Sequence, residues 1–242
     1  MKKIPETDAI FAHVAEANTT ADADASILRI SIDSKAKVKL GNLSRGGKDR
    51  RQHAPQADDH DTQWQGTVLP FGILNLATDE LALYLSESAE TSDFIVDCLE
   101  QWWRRYQPRY PDIKTLAIDL DGGSATRSNR TQFIKRMVMF SRQSGLAIQL
   151  IYYPPYHSKY NPIERCWAAL EQFWNGAILD SLETTLQWAS NMQWKGMPPL
   201  VEPVLQVYEK GVTVDAETLA SYRIDWHPSE DLPKWAITIG SP

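Results

Sequence analysis

"ILRISID", Ile27 to Asp33, is a β-branched-rich run in which apolar and polar side chains alternate, and it ends on an acid. Alternation with period two predicts a strand with one face on a core, delivering Asp33 at its end. Two later runs have the same character. "IKTLAIDLD", Ile113 to Asp121, is a short apolar strand closing on acids, and "LAIQLIYYP", Leu146 to Pro154, is a third apolar strand. "GTVLPFGILNLAT", Gly66 to Thr78, and "ELALYLSE", Glu80 to Glu87, are joined by a short Thr-Asp turn and read as an antiparallel hairpin. "TSDFIVDCLEQWWRRYQ" carries a Thr or Ser cap and has Phe94, Ile95, Cys98, Leu99, Trp102 and Trp103 at helical spacing. "RTQFIKRMVMFSRQSG" is a second amphipathic helix, closed by Gly145. The order β, ββ, α, β, α, β predicts one α/β domain built on a mixed sheet.

The flanks are less regular. Residues 1–26 read as a peripheral arm or helix, 27–222 as the domain, and the Pro-rich residues 223–242 as an irregular tail. Beyond Pro162, the Trp-rich segment to Trp174 and then Ser181 to Trp194 read as extra helices, with a further helix near Glu202 to Lys210.

Composition narrows the partners. The chain has 242 residues and a net charge of −6, yet Lys35 to Arg51 carries seven Lys or Arg against Asp49 alone, and Gly122 to Ile163 carries six with no acid. Each window nets +6, so the remaining residues carry −18: an acidic body bears two cationic segments suited to a polyanion. No apolar run approaches the ~18 to 20 residues of a membrane span, and no long apolar region follows the first lysines, so a cytoplasmic location is expected. Cys98 and Cys166 lie in amphipathic contexts without zinc-motif spacing and read as buried thiols.

Asp33, Asp121 and Glu164 each fall at the end of a predicted element, where a rigid backbone holds a side chain in place. Two aspartates on neighbouring strands and a glutamate on a helix match what a two-metal phosphodiester site requires, with hard oxygen donors suited to Mg²⁺. Asp119 competes with Asp121, because residues two apart share a strand face. Asp121 is preferred because "GGS" follows it, whereas Asp119 lies one pleat deeper, as a helper. In "NPIE", Asn161 reads as N-cap, Pro162 as N1 and Glu164 as N3 of a capping box, an arrangement that can also fix the rotamer of a metal ligand. Glu171 is the fallback ligand, on the same face as a core stripe of Trp167, Leu170 and Trp174. His157 and Lys159, beside Glu164, are candidates for holding a phosphate.

"RISIDSKAKVKLGNLSRGGKDR", "VLPFGILNL", "TSDFIVDCLEQWW" and above all "YYPPYHSKYNPIERCWAALEQFWNG" together resemble the ISAzo-type insertion-sequence transposases, also called Rhodopirellula-type DDE transposases. The likeness runs from about Lys3 to Tyr222, and Asn-Pro-Ile-Glu with a Trp three residues later is also similar to the third-acid motif of mariner-like elements. The resemblance implies an RNase H-like fold of the integrase superfamily, with a five-stranded mixed sheet and extra C-terminal helices. It also implies cutting and joining of DNA at insertion-sequence ends with two Mg²⁺ or Mn²⁺ ions, by a homo-oligomer on double-stranded DNA. Carried over by motif, the triad is Asp33 in "SIDSK", Asp121 in "LDGGS" and Glu164 in "NPIER". Lys35, Lys37, Arg45, Lys48, Arg50, Arg51, Arg127 and Arg130 would meet DNA phosphates. Where the family shows "DNGPE"-like residues after the second acid, this chain has "DGGSA", which keeps the aspartate. The family's N-terminal helix-turn-helix region is expected to be missing here. A catalytically silent remnant that binds DNA or full-length transposase, and a general RNase H-like nuclease, are the alternative functions.

Overall fold

The computed structural model of the chain describes residues 3–46, 57–58 and 64–240. In chain order the elements are α1 (Thr7–Ala23), β1 (Ile27–Ser34), β2 (Val38–Leu40), β3 (Gly66–Asn75), β4 (Leu81–Ser86), α2 (Ser92–Tyr106), β5 (Thr115–Asp121) and α3 (Thr131–Ser144). They continue with β6 (Ala147–Tyr153), α4 (Glu164–Phe173), α5 (Leu182–Asn191), β7 (Leu200–Pro203), α6 (Ala216–Arg223), β8 (Trp226–Pro228) and β9 (Ala236–Ile239). Among the described residues the strands form a nine-stranded sheet in the order β7-β4-β3-β1-β5-β6-β9-β8, with β2 paired to β3.

Five adjacent strands, β4-β3-β1-β5-β6, are the mixed kernel expected from the sequence. β3 runs antiparallel to β4 and β1, whereas β1, β5 and β6 are parallel. The sheet exceeds five strands because Val38–Leu40, in the basic segment, pairs with β3 as β2, and because two further segments differ from their sequence reading. Leu200–Pro203 is a strand parallel to β4 rather than the start of a helix; Pro203 lacks the N–H that a helix interior needs and an edge strand can do without. The helix comes later as α6, where the Asp215 side chain accepts from the Thr218 N–H at 2.8 Å. The tail is not irregular: β9 lies antiparallel on β6 and β8 on β9, which buries Trp226, Ile237 and Ile239 and covers the open edge of β6.

Alternation sorts the two faces. Leu28, Ile30 and Ile32 of β1, Leu116, Ile118 and Leu120 of β5, and Leu150 of β6 share one core with Phe94 and Trp102 of α2 and Phe133 of α3. Full burial of each such side chain contributes about 1.5–3 kcal/mol. On the opposite face Trp167, Leu170 and Trp174 pack on Leu74 and Leu83, covering β3 and β4. α1 is not peripheral: Ile10, Val14 and Ala21 are buried against Ala117, Ile151 and Tyr153, covering β5 and β6. The polar side chains of β1 therefore run along the seam between these two sets of helices. Cys98 and Cys166 are free and buried, as expected. Among the described residues no helix is long and apolar enough to cross a membrane.

Candidate active site

In the parallel pairing of β1 with β5, Ser31 lies opposite Asp119, and continuing that register by two residues sets Asp33 level with Asp121. Because Ile30 and Ile32 point to the α2/α3 core, Arg29, Ser31 and Asp33 point the other way, and so do Asp119 and Asp121 beside Leu120. Neighbouring strands lie about 4.8 Å apart, so two rigid backbones hold the two aspartates side by side.

Glu164 reaches them through α4, and the entrance to that helix differs from the capping-box reading. α4 begins at Glu164 with Ile163 as its cap residue and no side-chain cap bond. Asn161, fully buried, turns its side chain to β1 instead: Nδ2 donates to the Ile32 carbonyl at 3.0 Å, and Oδ1 accepts from the Ser31 hydroxyl. The Ser31 oxygen accepts in turn from the Ile163 N–H at 3.1 Å. The first turn of α4 is thus tied to the strand immediately before Asp33. One turn on, the Trp167 indole N–H donates to Asp33 Oδ2 at 2.8 Å. Its ring lies over Gly72, the β3 partner of Asp33, where a Cβ would stand 2.7 Å from Trp167 Cη2 and 2.8 Å from Ile163 Cδ1. Only glycine lets α4 approach this closely.

The electrostatics record the convergence. Burial pushes Asp33 up to about 7; the Trp167 hydrogen bond opposes this, and the charges of Asp121 and Glu164 add to it. Burial, and then Glu164, push Asp121 up to about 6. Among the described residues no Lys or Arg forms an ion pair with any of the three, and the buried Oδ1 of Asp121 has no hydrogen-bond partner. No three His, Cys, Asp or Glu among the described residues make a ready-formed metal site. What the fold assembles is three mutually repelling carboxylates, an all-oxygen donor set of the kind hard divalent cations take.

Asp119, its side chain wholly buried, is engaged elsewhere: its Oδ2 meets Arg29 Nη1 at 2.7 Å, while the same guanidinium holds Asp22 of α1. Burial pushes Asp119 up to about 7 against the pull of Arg29. Arg29→Met leaves this acid buried and uncompensated, with an expected cost of about 3–5 kcal/mol at about pH 8 that shrinks as falling pH protonates Asp119. Urea unfolding at two pH values measures it, and a pH-independent loss would contradict the assignment.

The remaining predicted residues separate into groups. Glu171 is an ion-pair hub, not a ligand: Lys35 lies at 2.6 Å and Arg45 at 3.3 Å, and the Trp174 indole donates at 2.8 Å. Lys35 and Arg45 are correspondingly neutralised, and Arg45 also stacks over Trp174 at 4.8 Å. His157 is 3% exposed, its Nδ1 is 2.8 Å from the Pro155 carbonyl, and its ring packs against Phe11 and Tyr160, which removes it from the surface. Lys37, Arg127 and Lys159 are exposed, and Arg130 is half-buried. Lys48, Arg50 and Arg51 lie outside the described residues. Sequence reasoning missed Ser31 and Trp167 as site residues, although period two leads back from Asp33 to Ser31 and helical spacing leads from Glu164 to Trp167.

Solved structures share the fold. Those described as "Mos1 transposase paired-end complex with left transposon end", "Crystal structure of the Mos1 mariner paired end complex with Mn" and "Crystal structure of the Mos1 Strand Transfer Complex" align with TM-scores of 0.51, 0.53 and 0.51 at 10%, 8% and 9% identity. Each alignment covers 76% of this chain and 52%, 52% and 51%, respectively, of the other, so the chain spans about half the length of these relatives. The likeness is one of fold: a mixed α/β architecture of the RNase H-like class. No curated protein sequence matches the chain. The model of the family described as "Rhodopirellula transposase DDE domain" matches residues 1–241, and the chain therefore belongs to that family of DDE transposases.

Proposed function

We propose that the chain is a transposase catalytic domain that hydrolyses and transfers phosphodiester bonds at insertion-sequence ends, with Asp33, Asp121 and Glu164 as its catalytic carboxylates. The observation that carries this reading is their grouping, from two parallel strands and one helix, within reach of each other's charge and with no cation among the described residues paired to any of them. Such a cluster is costly in the free protein and is typical of a site that binds cations. Mg²⁺ or Mn²⁺, two ions in all, fit the donor set and the unpartnered Asp121 Oδ1. When bound, the ions supply Lewis-acid stabilisation of the attacking and leaving oxygens.

The chain's own contribution is placement. β1 and β5 fix the two aspartates, Trp167 orients Asp33, and the Ser31–Asn161 tie sets Glu164. The substrate is double-stranded DNA, at the element end and then at the target, handled by a homo-oligomer. Lys37, Arg127, Arg130 and Lys159, with Lys48, Arg50 and Arg51, supply phosphate contacts that position without specifying sequence. Lys35 and Arg45 join them only by exchanging Glu171 for a phosphate. The test is Mn²⁺-dependent nicking of supercoiled DNA by the chain and its three carboxylate variants.

Trp167→Phe keeps the ring and deletes the donor that stabilises the Asp33 carboxylate. A hydrogen bond to a charged group contributes about 1.5–3 kcal/mol, so the acid limb of the nicking pH profile shifts upward by about one unit or more. Activity then falls about tenfold near pH 7 and recovers at higher pH. An unmoved acid limb would remove Trp167 from this role.

A further inference from the structure

A cavity of about 410 Å³ opens beside the ends of β1 and β5, lined by Lys37, Arg127, Arg130, Lys210 and Glu90, with Ser124 and the start of α2. Three of its residues follow the carboxylates closely along the chain: Lys37 comes four residues after Asp33, Ser124 three after Asp121 and Arg127 six after it. The Thr126 hydroxyl donates to the Asp121 carbonyl at 2.7 Å and so braces the turn that carries Ser124 and Arg127.

Four cations face one acid in this concavity, although the chain as a whole is anionic. No acid among the described residues pairs with any of the four, unlike Lys35 and Arg45. Carbonyls hold two of them in place: Lys37 Nζ donates to Ser88 at 3.3 Å and Arg130 Nη2 to Val212 at 3.3 Å, while the buried Arg130 Nε has no partner. α2, capped where the Thr91 side chain accepts from the Phe94 N–H, adds the positive end of a 15-residue helix. Like charges that outnumber their counter-charge in a cleft focus the field on an incoming anion.

We propose that this cavity binds a backbone phosphate of the DNA strand that enters the carboxylate site, gripped by Lys37, Arg127, Arg130 and Lys210. The proposal rests on the transposase reading for the identity of the strand, and it adds Lys210, which comes from a distant segment, to the DNA contacts. The cavity lies within the range of about 300–1,000 Å³ usual for small-ligand sites, so it anchors one short piece of backbone rather than reading base pairs.

The test measures binding of a fluorescent duplex by the full chain without divalent metal, at about 50 to 200 mM salt. Lys210→Ala, Arg127→Ala and the double variant change exposed side chains and leave folding intact; Arg104→Ala, an exposed cation of α2 outside this cavity, is the control. Each single variant is expected to weaken binding severalfold and to lower the steepness of log affinity against log salt by about 0.9, the double variant by about twice that, and the control by nothing. Inorganic phosphate at constant ionic strength is expected to displace duplex from the wild type far more readily than from the double variant. Unchanged affinity and slope in both single variants, or equal displacement by phosphate, would overturn the proposal. Because no metal is present, that result is separable from failure of the catalytic reading, which only nicking reports.

Discussion

Asp33→Asn, Asp121→Asn and Glu164→Gln are each expected to reduce Mn²⁺-dependent nicking by at least about 10³-fold, as is usual when one member of a group acting as a unit is lost. The two aspartate variants are also expected to stabilise the metal-free chain at about pH 8. The sign follows from the raised proton affinities. Asp33 titrates at about 7 in the fold, against an ordinary value of 3.8. The fold therefore holds a proton that the unfolded chain has already released between those values. Its stabilising contribution is complete below about pH 4 and is lost as pH rises through about 7, when the buried charge forms beside Asp121 and Glu164. A three-unit shift corresponds to about 4 kcal/mol, and Asp121, at about 6, adds a smaller share that overlaps with it because the two titrate together. Asp33→Asn keeps an oxygen to accept from Trp167 and removes the charge, so a gain of about 2 kcal/mol at about pH 8 is expected, vanishing toward pH 4. Urea unfolding against pH measures it. Mn²⁺ should reverse the order by stabilising the wild type and not the variants. Equal nicking by all four proteins, or none by any, would remove the catalytic assignment; the second outcome is what a silent remnant would give.

Asn161→Ala is the second large effect, and it leaves every carboxylate in place. The amide is fully buried and bridges the Ile32 carbonyl and the Ser31 hydroxyl. Its removal strands both partners away from water, with an expected loss of about 2–4 kcal/mol. It also frees the first turn of α4 from β1, and displacement of about 1 Å at a catalytic group can cost about 10²-fold in rate. The expected result is a folded but less stable protein with nicking down about 100-fold and a weaker Mn²⁺ requirement curve, measured well below the melting temperature. Ser31→Ala also deletes two bonds, to Asn161 Oδ1 and from the Ile163 N–H, and should lower stability and nicking to a similar extent. A folded Asn161→Ala with full activity would show that the helix entrance does not set Glu164.

Period two in "ILRISID" and "IKTLAIDLD" determines that Asp33 and Asp121 leave their strands opposite the apolar core, and the motif around Glu164 marks where a helix starts. Those properties depend on neighbours a few residues away, so local pattern carries them. Sequence did not determine whom Asn161 would serve. "NPIE" satisfies the pattern of a capping box, yet the side chain bonds Ser31 and Ile32, 130 and 129 residues earlier. Nor did it show that Arg29 would claim Asp119, leaving Asp121 the unpaired acid, or that Glu171 would neutralise Lys35 and Arg45. The tail became sheet because β6 had an open edge and Ile237 and Ile239 needed a face to cover. Each of these outcomes is a choice among partners for one buried polar group, one charge or one strand edge, and it is decided by which distant segments the fold brings within a few ångströms.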